Sequence, residues 1–351
     1  MSKSVDYKSA GVDIEAGNEA VRRMKSHVVR THSAAVLTGL GSFGTLFSLK
    51  DAIAGMHAPV MVQSTDGVGT KTKVTVMAGR YESLGRDLVA AVAGDIAVMG
   101  ARPLTFLDYL GFHKIEPAIV EELVRGMGAA CEEAGIALVG GETAEMPAVY
   151  AKDDLDVVGF VTGVVEREKL LTGAGIIAGD VLYAVNSSGL HTNGFSLARK
   201  LFFDLGGYEI DARPEELGGE SLADVLLAPH MHYVMAIRRI LDAAIPVKGM
   251  AHITGGGLVE NVPRILPQGL GAMIDRRTWT PQPVFAMMQR MGNIDDLEMH
   301  RTFNMGVGLV IAAPPGCLSA MESAIAEFPA MEVWELGRVE AGVSGVRFGG
   351  A

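Results

Sequence analysis

Apolar residues recur along this chain in short blocks, and most blocks run into a glycine or an acid. Asn18 to Arg30, NEAVRRMKSHVVR, spaces its apolar positions for one face of an amphipathic helix. Residues 59–64 form a strand led in by Pro59, and a helix follows over 83–100 with Ser83 as its N-cap. LTFLDYL, residues 104–110, is a strand. Pro117 suits a first helical position, and that helix closes at Gly135. IALVG is a buried strand that ends in GETAEMP, and LDVVGFVTGVV, residues 155–165, is a longer strand.

Around residues 166–179 the chain turns polar and glycine-bearing, which divides it into 1–170 and 171–351. The cycle then restarts. Strand VLYAV leads into loop NSSGLHTNG and helix GFSLARKLFFDLG; strand VKGMAHI leads into TGGG and helix LVENVPRIL. Strand GVGLVIAA, a helix over 317–327 and strand MEVWELGRV follow. Strands alternating with helices in both halves predict two α/β or α+β domains.

Composition narrows the function. The 44 glycines exceed the usual share and cluster at the ends of apolar runs, where tight turns and close approach to ligands occur. A net charge of −11 argues against a nucleic-acid partner, since duplex binding depends on Lys and Arg. A small anion held by backbone N–H groups is compatible with that charge. Cys131 and Cys317 lack metal-ligand spacing. The N-terminus shows no apolar signal region, and DLVAAVAGDIAVMGA is too short to span a bilayer, so the expectation is a cytoplasmic protein without membrane contact.

The stretch VMVQSTDGVGTKTKV, residues 60–74, resembles a phosphate loop but fails the Walker pattern, because Thr70 separates Gly69 from Lys71. Gly67 and Gly69 permit close backbone approach, Lys71 offers a cation and Asp66 a metal ligand. A capped glycine turn accounts for the same residues equally well. GLGSFG, residues 39–44, fits G-x-G-x-x-G without the strand context of a dinucleotide fold, leaving a flap over a ligand or an ordinary loop. On the 83–100 helix, Leu84, Leu88, Ala91, Asp95 and Met99 share one face. An acid in that stripe needs a partner, either a paired core group or a metal. GGETAEMP sets Glu142 and Glu145 after two glycines at a strand end. Asp66, Asp95 and Glu142 have the oxygen chemistry that Mg²⁺ prefers. Ser187, Ser188, His191 and Asn193 precede a helix as a phosphate cradle would, and His191 is either structural or an acid–base group. Three consecutive glycines in AHITGGGLVEN exceed what core packing alone explains.

Together these segments resemble the phosphoribosylformylglycinamidine cyclo-ligases, also called aminoimidazole ribonucleotide synthetases. The matching runs are YKSAGVDIEAGN, STDGVGTK, FLDYL, GGETAEMP, HTNGFSLARK, AHITGGG with VEN, PR and LP after it, and RTFNMGVG. They stand in the family's order over nearly the whole chain. The resemblance implies ATP-dependent closure of the imidazole ring of purines. The substrate, formylglycinamidine ribonucleotide, is activated at its amide oxygen through an iminophosphate; ADP and phosphate leave. It also implies a homodimer whose N-terminal domains pair into a barrel-like core, with ATP in a cleft at that interface. On matching positions it makes Asp66, Asp95 and Glu142 the Mg²⁺ ligands. Lys71, with Gly67, Gly69 and Thr70, faces the phosphates. Lys25 and Gly41, Ser42, Phe43 and Gly44 close over ATP. Ser188, His191, Asn193, Thr254, Gly255 and Gly256 hold the substrate. Lys71 and His191 are the candidate catalytic groups.

The chain departs from the family pattern at three places. Gly94 stands where Asn is usual, at a mid-helix cost of ~1 kcal/mol and with the loss of an amide beside Asp95. His230-Met231 replaces Thr-Arg, and Phe112-His113 replaces small residues. Two alternatives follow: a related ATP-dependent enzyme, or a nucleotide-binding protein without turnover. Among the former, a selenophosphate synthetase calls for a cysteine near the flap and a hydrogenase-maturation protein for one near the C-terminus; neither expectation is met. A thiamine-phosphate kinase remains open.

Overall fold

The computed structural model describes residues 11–350. The signal-region reading of residues 1–10, and the first four residues of YKSAGVDIEAGN, lie outside the described residues. The first half comprises α1 (Ile14–Val29), β1 (Pro59–Gly67), α2 (Lys71–Ala78), α3 (Glu82–Ala97), β2 (Arg102–Phe112), α4 (Pro117–Ala134), β3 (Ala137–Glu145) and β4 (Leu155–Glu166). The second comprises β5 (Val181–Asn186), α5 (Phe195–Arg199), α6 (Leu222–Leu226), α7 (Val234–Asp242), β6 (Gly249–His252), α8 (Gly257–Asn261), β7 (Leu270–Asp275), α9 (Pro283–Gly292), α10 (Asp296–Thr302), β8 (Val307–Ala313), α11 (Leu318–Ile325), β9 (Val333–Ala341) and β10 (Val346–Gly349).

Local chemistry accounts for several boundaries. The Asp13 carboxylate accepts the N–H groups of Glu15 and Ala16 and starts α1. Pro117 opens α4, and Gly135, at φ 66°, closes it in the left-handed conformation. Ser83 is not the cap of α3. Gly79, at φ 62°, turns the chain at the end of α2, so α3 starts directly after Tyr81 and Ser83 falls inside its first turn. Helix α2 itself is invisible in the sequence pattern, because KTKVTVMA is rich in β-branched residues.

Among the described residues, β1-β4-β2-β3 form one sheet and β10-β7-β9-β5-β8-β6 another. Only β2–β3 and β7–β10 pair in parallel; the remaining pairs are antiparallel. Of the two expected classes, the protein is therefore α+β. Helices α3 and α4 cover one face of the first sheet, where Phe106 and Leu110 are fully buried. They cross at paired glycines: a Cβ on Gly85 would lie 2.0 Å from the Leu123 carbonyl oxygen, and one on Gly126 would lie 2.0 Å from that of Glu82. The opposite face leaves Met61, Leu107 and Phe160 exposed.

No gap in packing separates the halves. Leu88, Val92 and Ile96 of α3 share a core with Tyr233, Ile237 and Ile311 of the second half. One fully buried ion pair of the first half ties the second half to it. Lys71 Nζ lies 2.6 Å from Asp87 Oδ2, and both side chains are completely inaccessible. Lys71 also donates to the His191 and Ala228 carbonyls, at 2.9 and 3.2 Å. Asp87 Oδ1 accepts the His230 N–H at 2.6 Å. A group from α2 and one from α3 thus fix two loops of the second half. Burial pushes the lysine pKa down and the carboxyl pKa up, and each is opposed by its partner's charge.

Removing one partner strands a buried charge. Lys71→Met is expected to cost about 3–5 kcal/mol in urea unfolding, and Lys71→Met with Asp87→Leu to recover most of that loss.

Candidate active site

β1 extends past the expected residue 64 to Gly67 and delivers Asp66 to the sheet's end. Gly67 N–H turns back to the Asp66 carboxylate at 2.7 Å. Asp95, on α3, approaches from beside it. Burial first, and then the negative charge of Asp95, push the Asp66 pKa up. Two carboxylates held together in this way form a natural cation seat. Asp95 has two further partners: Ser64 Oγ at 3.4 Å and His252 Nδ1 at 2.9 Å. His252 ends β6 immediately before the glycine loop. Its strand-end position was the available sequence signal for this overlooked residue.

Three glycine loops converge beside these acids. The 66–70 loop enters α2, the 187–194 loop enters α5 and the 253–256 loop enters α8; Thr70, Gly194 and Gly256 precede these helices without a side-chain cap. Thr70 Oγ1 meets Ser196 Oγ at 2.9 Å, joining the first loop to the first turn of α5. A Cβ on Gly255 would lie 3.2 Å from Asn193 Oδ1, which places the second loop against the third. Uncapped helix starts present N–H donors and a local positive potential, the arrangement that receives phosphate oxygens.

Side chains behind the loops hold their shape. Asn261 Nδ2 donates to the carbonyls of Thr254, Gly255 and Gly257. Asn304 Nδ2 donates to Gly189, and its Oδ1 accepts from Ser187 Oγ and the Gly306 N–H. Neither asparagine was singled out in the sequence, although both sit in its most distinctive runs. Packing explains more of the triple glycine than expected: a Cβ on Gly257 would lie 2.1 Å from the His300 carbonyl oxygen.

The structure moves four expected ligand-facing residues inward or aside. Lys71 is enclosed in its ion pair instead of facing a phosphate. His191 is 1 % exposed, at φ 61°; its ring stacks on His230 at 3.8 Å between centroids, and its Nε2 accepts the Ser188 N–H at 3.3 Å. Ser188 Oγ donates to the Pro229 carbonyl at 2.5 Å. Lys71 and His191 are buried and hold the loops, and the half-buried Ser188 is tied to them. Glu142 lies elsewhere for a topological reason. The register runs Asp66–Gly159–Asp108–Gly141, so Glu142 on β3 is three strand spacings, roughly 14 Å, from Asp66. β3 also continues through Glu142 instead of ending before it. Among the described residues, no three of His, Cys, Asp and Glu converge as a cation site.

The flap joins that far edge. Residues 36–47 fold back through Leu37 N–H to Leu46 O at 2.8 Å, leaving Gly41, Ser42, Phe43 and Gly44 exposed at the tip. Phe43 is fully exposed. Thr45 Oγ1 donates to Val139 O at 2.7 Å, and His32 bonds Leu138 O at 2.8 Å, so the segment is tied to β3. Lys25 projects from the exposed side of α1. Phe112 is buried, and His113 bonds the Tyr150 carbonyl at 2.8 Å, so these two departures serve packing.

Comparison with known proteins gives a consistent set of relatives. Residues 50–165 match the N-terminal domain of AIR synthase related proteins, and residues 178–349 match their C-terminal domain. A phosphoribosylformylglycinamidine cyclo-ligase from Gloeobacter violaceus is 46% identical over 98% of this chain and 100% of its own. One from Carboxydothermus hydrogenoformans is 44% identical over 97% of both. Among solved structures, a thiamine-monophosphate kinase from Stenotrophomonas maltophilia superposes with TM-score 0.69 at 19% identity, covering 95% of this chain and 96% of that one. A hydrogenase maturation protein HypE in complex with ATP superposes with TM-score 0.64 at 17% identity, covering 91% and 86%. At those identities the structures share the fold.

The buried histidines set an acid limit on stability. Burial pushes His191 and His230 well down and His232 down to about 4, against 6.5 in an open chain. The unfolded chain therefore binds protons that the folded one refuses. The histidine contribution is full above pH ~6.5 and is lost as the pH drops toward 4, His232 alone accounting for roughly 3 kcal/mol; the buried Asp108 carboxyl, pushed up to about 7, acts in the opposite direction over the same range. Urea unfolding at pH 7, 6, 5 and 4 should show His232→Phe gaining stability relative to the unsubstituted protein as the pH falls, by roughly 3 kcal/mol at pH 4.

Proposed function

This chain belongs to the phosphoribosylformylglycinamidine cyclo-ligase family, and from that premise we propose which of its groups carry the reaction. The enzyme closes the imidazole ring of aminoimidazole ribonucleotide in purine biosynthesis, consuming ATP. The alternatives of a different ATP-dependent enzyme or a silent nucleotide binder give way to relatives of that name matched along nearly the whole chain.

The observation that carries the site assignment is the convergence of three uncapped helix starts beside Asp66 and Asp95. ATP phosphates and the substrate phosphate are the anions these N–H groups receive; the ATP-bound relative of the same fold supports a nucleotide here. Asp66 and Asp95 suit Mg²⁺, because a divalent cation relieves their mutual repulsion. Held by Asp66 and Asp95, Mg²⁺ would supply charge neutralisation for phosphoryl transfer. The protein's share is positioning. Backbone N–H groups orient the phosphates; Asn193 and the Thr254–Gly256 loop face the reacting amide; the Phe43 flap excludes water. Lys71, His191 and Ser188 hold the loops in register. The nucleotide acids belong to residues 1–170 and the substrate loops to 171–351. A cytoplasmic setting suits a soluble purine precursor, and no described helix is long and apolar enough to cross a membrane.

One acid and the flap remain on the wrong edge of the sheet within a single chain. We assign them to a homodimer. β1 and β3 are the two edges of the first sheet, and its uncovered face exposes Met61, Leu107 and Phe160. A second copy related by a two-fold axis buries that face and sets its β3 beside β1. Glu142, Lys25 and residues 41–44 of one protomer then complete the site of the other.

Asp95→Ala is expected to lower substrate-dependent ADP release by about 10³-fold, with the circular-dichroism spectrum kept; near-normal turnover refutes its role. Asp95→Ala and Glu142→Ala protomers, unfolded together and refolded as mixed dimers, should recover about a quarter of wild-type activity, because each hybrid has one intact site. Activity no higher than the mean of the two parents rules out the shared site.

A further inference from the structure

Two of the sequence departures, Gly94 and His230, meet at a single side chain. A Cβ on Gly94 would lie 2.7 Å from His252 Cε1 and 3.0 Å from its Nδ1. The ring of His252 therefore rests directly on the backbone of α3, one residue from Asp95. On its other side, His252 Nε2 lies 3.1 Å from His230 Nε2. The His230 ring stacks on His191, and its backbone N–H is fixed by Asp87. Tyr233 closes the remaining side, its ring centroid 5.9 Å from that of His252 and nearly perpendicular to it. His252 is held on three sides, and its one contact toward the cleft is Nδ1 to Asp95 Oδ1 at 2.9 Å.

A carboxylate only accepts, so His252 Nδ1 carries the proton of that bond. In the tautomer protonated at Nδ1, His252 has an accepting Nε2, and His230 Nε2 supplies the N–H that fills it. This leaves His230 Nδ1 as a bare lone pair, in keeping with its being buried without a partner among the described residues. A chain of two hydrogen bonds thus runs from the interior to the carboxylate: His230 fixes the tautomer and tilt of His252, and His252 fixes the Asp95 oxygen.

We propose that His230 is a positioning residue for the cation seat. It acts through His252 to aim Asp95, and Gly94 is the space that admits the ring. The proposal rests on Asp95 holding the cation, as argued above. It turns a mid-helix glycine, expected from the sequence to weaken the site, into a requirement of its geometry. His230, standing where threonine is usual, contributes a directed N–H.

Four variants of the full-length dimer test this: His230→Leu, which keeps bulk without the donor; His230→Gln, whose amide N–H₂ reaches the same place; Gly94→Ala; and Gly94→Ala with His230→Leu. Two readouts are taken on each. One is the Mg²⁺ concentration for half-maximal ADP release. The other is the ring ¹⁵N spectrum of His252 with Mg²⁺ and ATP absent, assigned by His252→Asn. Groups that orient a metal ligand change its affinity by about 10–100-fold. His230→Leu and Gly94→Ala are each expected to raise the Mg²⁺ requirement about 10-fold, with the substrate KM within about twofold. The double variant should resemble either single one, since both act through the same ring. His230→Gln should keep the wild-type Mg²⁺ requirement, and only the leucine and alanine variants should lose the protonated-Nδ1 signature. The proposal falls if His230→Leu leaves both readouts unchanged, or if the double variant shows the product of the two single effects. If His230→Leu fails to fold by circular dichroism, Gly94→Ala and His230→Gln decide the question through the same readouts. Asp95→Asn separates the two layers: an unchanged Mg²⁺ requirement in that variant removes the cation assignment itself, whereas a raised one with unaffected His230→Leu removes only the role of His230.

Discussion

The fully buried pair of Lys71 and Asp87 is the constraint on which the cleft depends. Two charges withdrawn from water are tolerable only when each is matched and hydrogen-bonded. Here the further partners come from the second half of the chain: the carbonyls of His191 and Ala228 for the lysine, the N–H of His230 for the aspartate. Satisfying the pair therefore fixes where the second-half loops sit relative to α2 and α3. Directional bonds do this better than apolar contact, which would permit the loops to slide. The same pair positions His230, and through it the histidine beside Asp95.

The cleft itself is made chiefly of backbone. On the proposed reading, a chain of net charge −11 takes up phosphates through the oriented N–H groups of three helix starts. The cost is a set of glycine loops with little intrinsic preference for one shape. Asn261 and Asn304 offset it, each bridging several loop carbonyls or N–H groups. The acids sit where β1 and α3 end their rigid runs, so their separation follows from sheet and helix packing instead of loop conformation.

Much of the fold was legible in the sequence. Apolar period and punctuation located α1, α4, β2 and β4 closely, because glycine, proline and caps act locally. Helix α2 was not legible, since its β-branched residues favour strands and tertiary packing overrides that preference. The lysine of DGVGTK illustrates the limit at the site. A cation beside two glycines reads as a phosphate contact, yet nothing local reveals that an acid sixteen residues later waits to bury it. Glu142 shows the same limit in another form: its chemistry is right, and the strand order carries it to the far edge.

The sequence by itself determined the family and supplied the candidate acids, because those are statements about residue types in order. What the tertiary structure decided is which of those groups meet. It enclosed Lys71 and His191, separated Glu142 from Asp66, and brought His252 to Asp95 across 157 positions. These outcomes depend on strand order, helix crossing and the burial of charge, which are long-range balances of packing and solvation that no local pattern records.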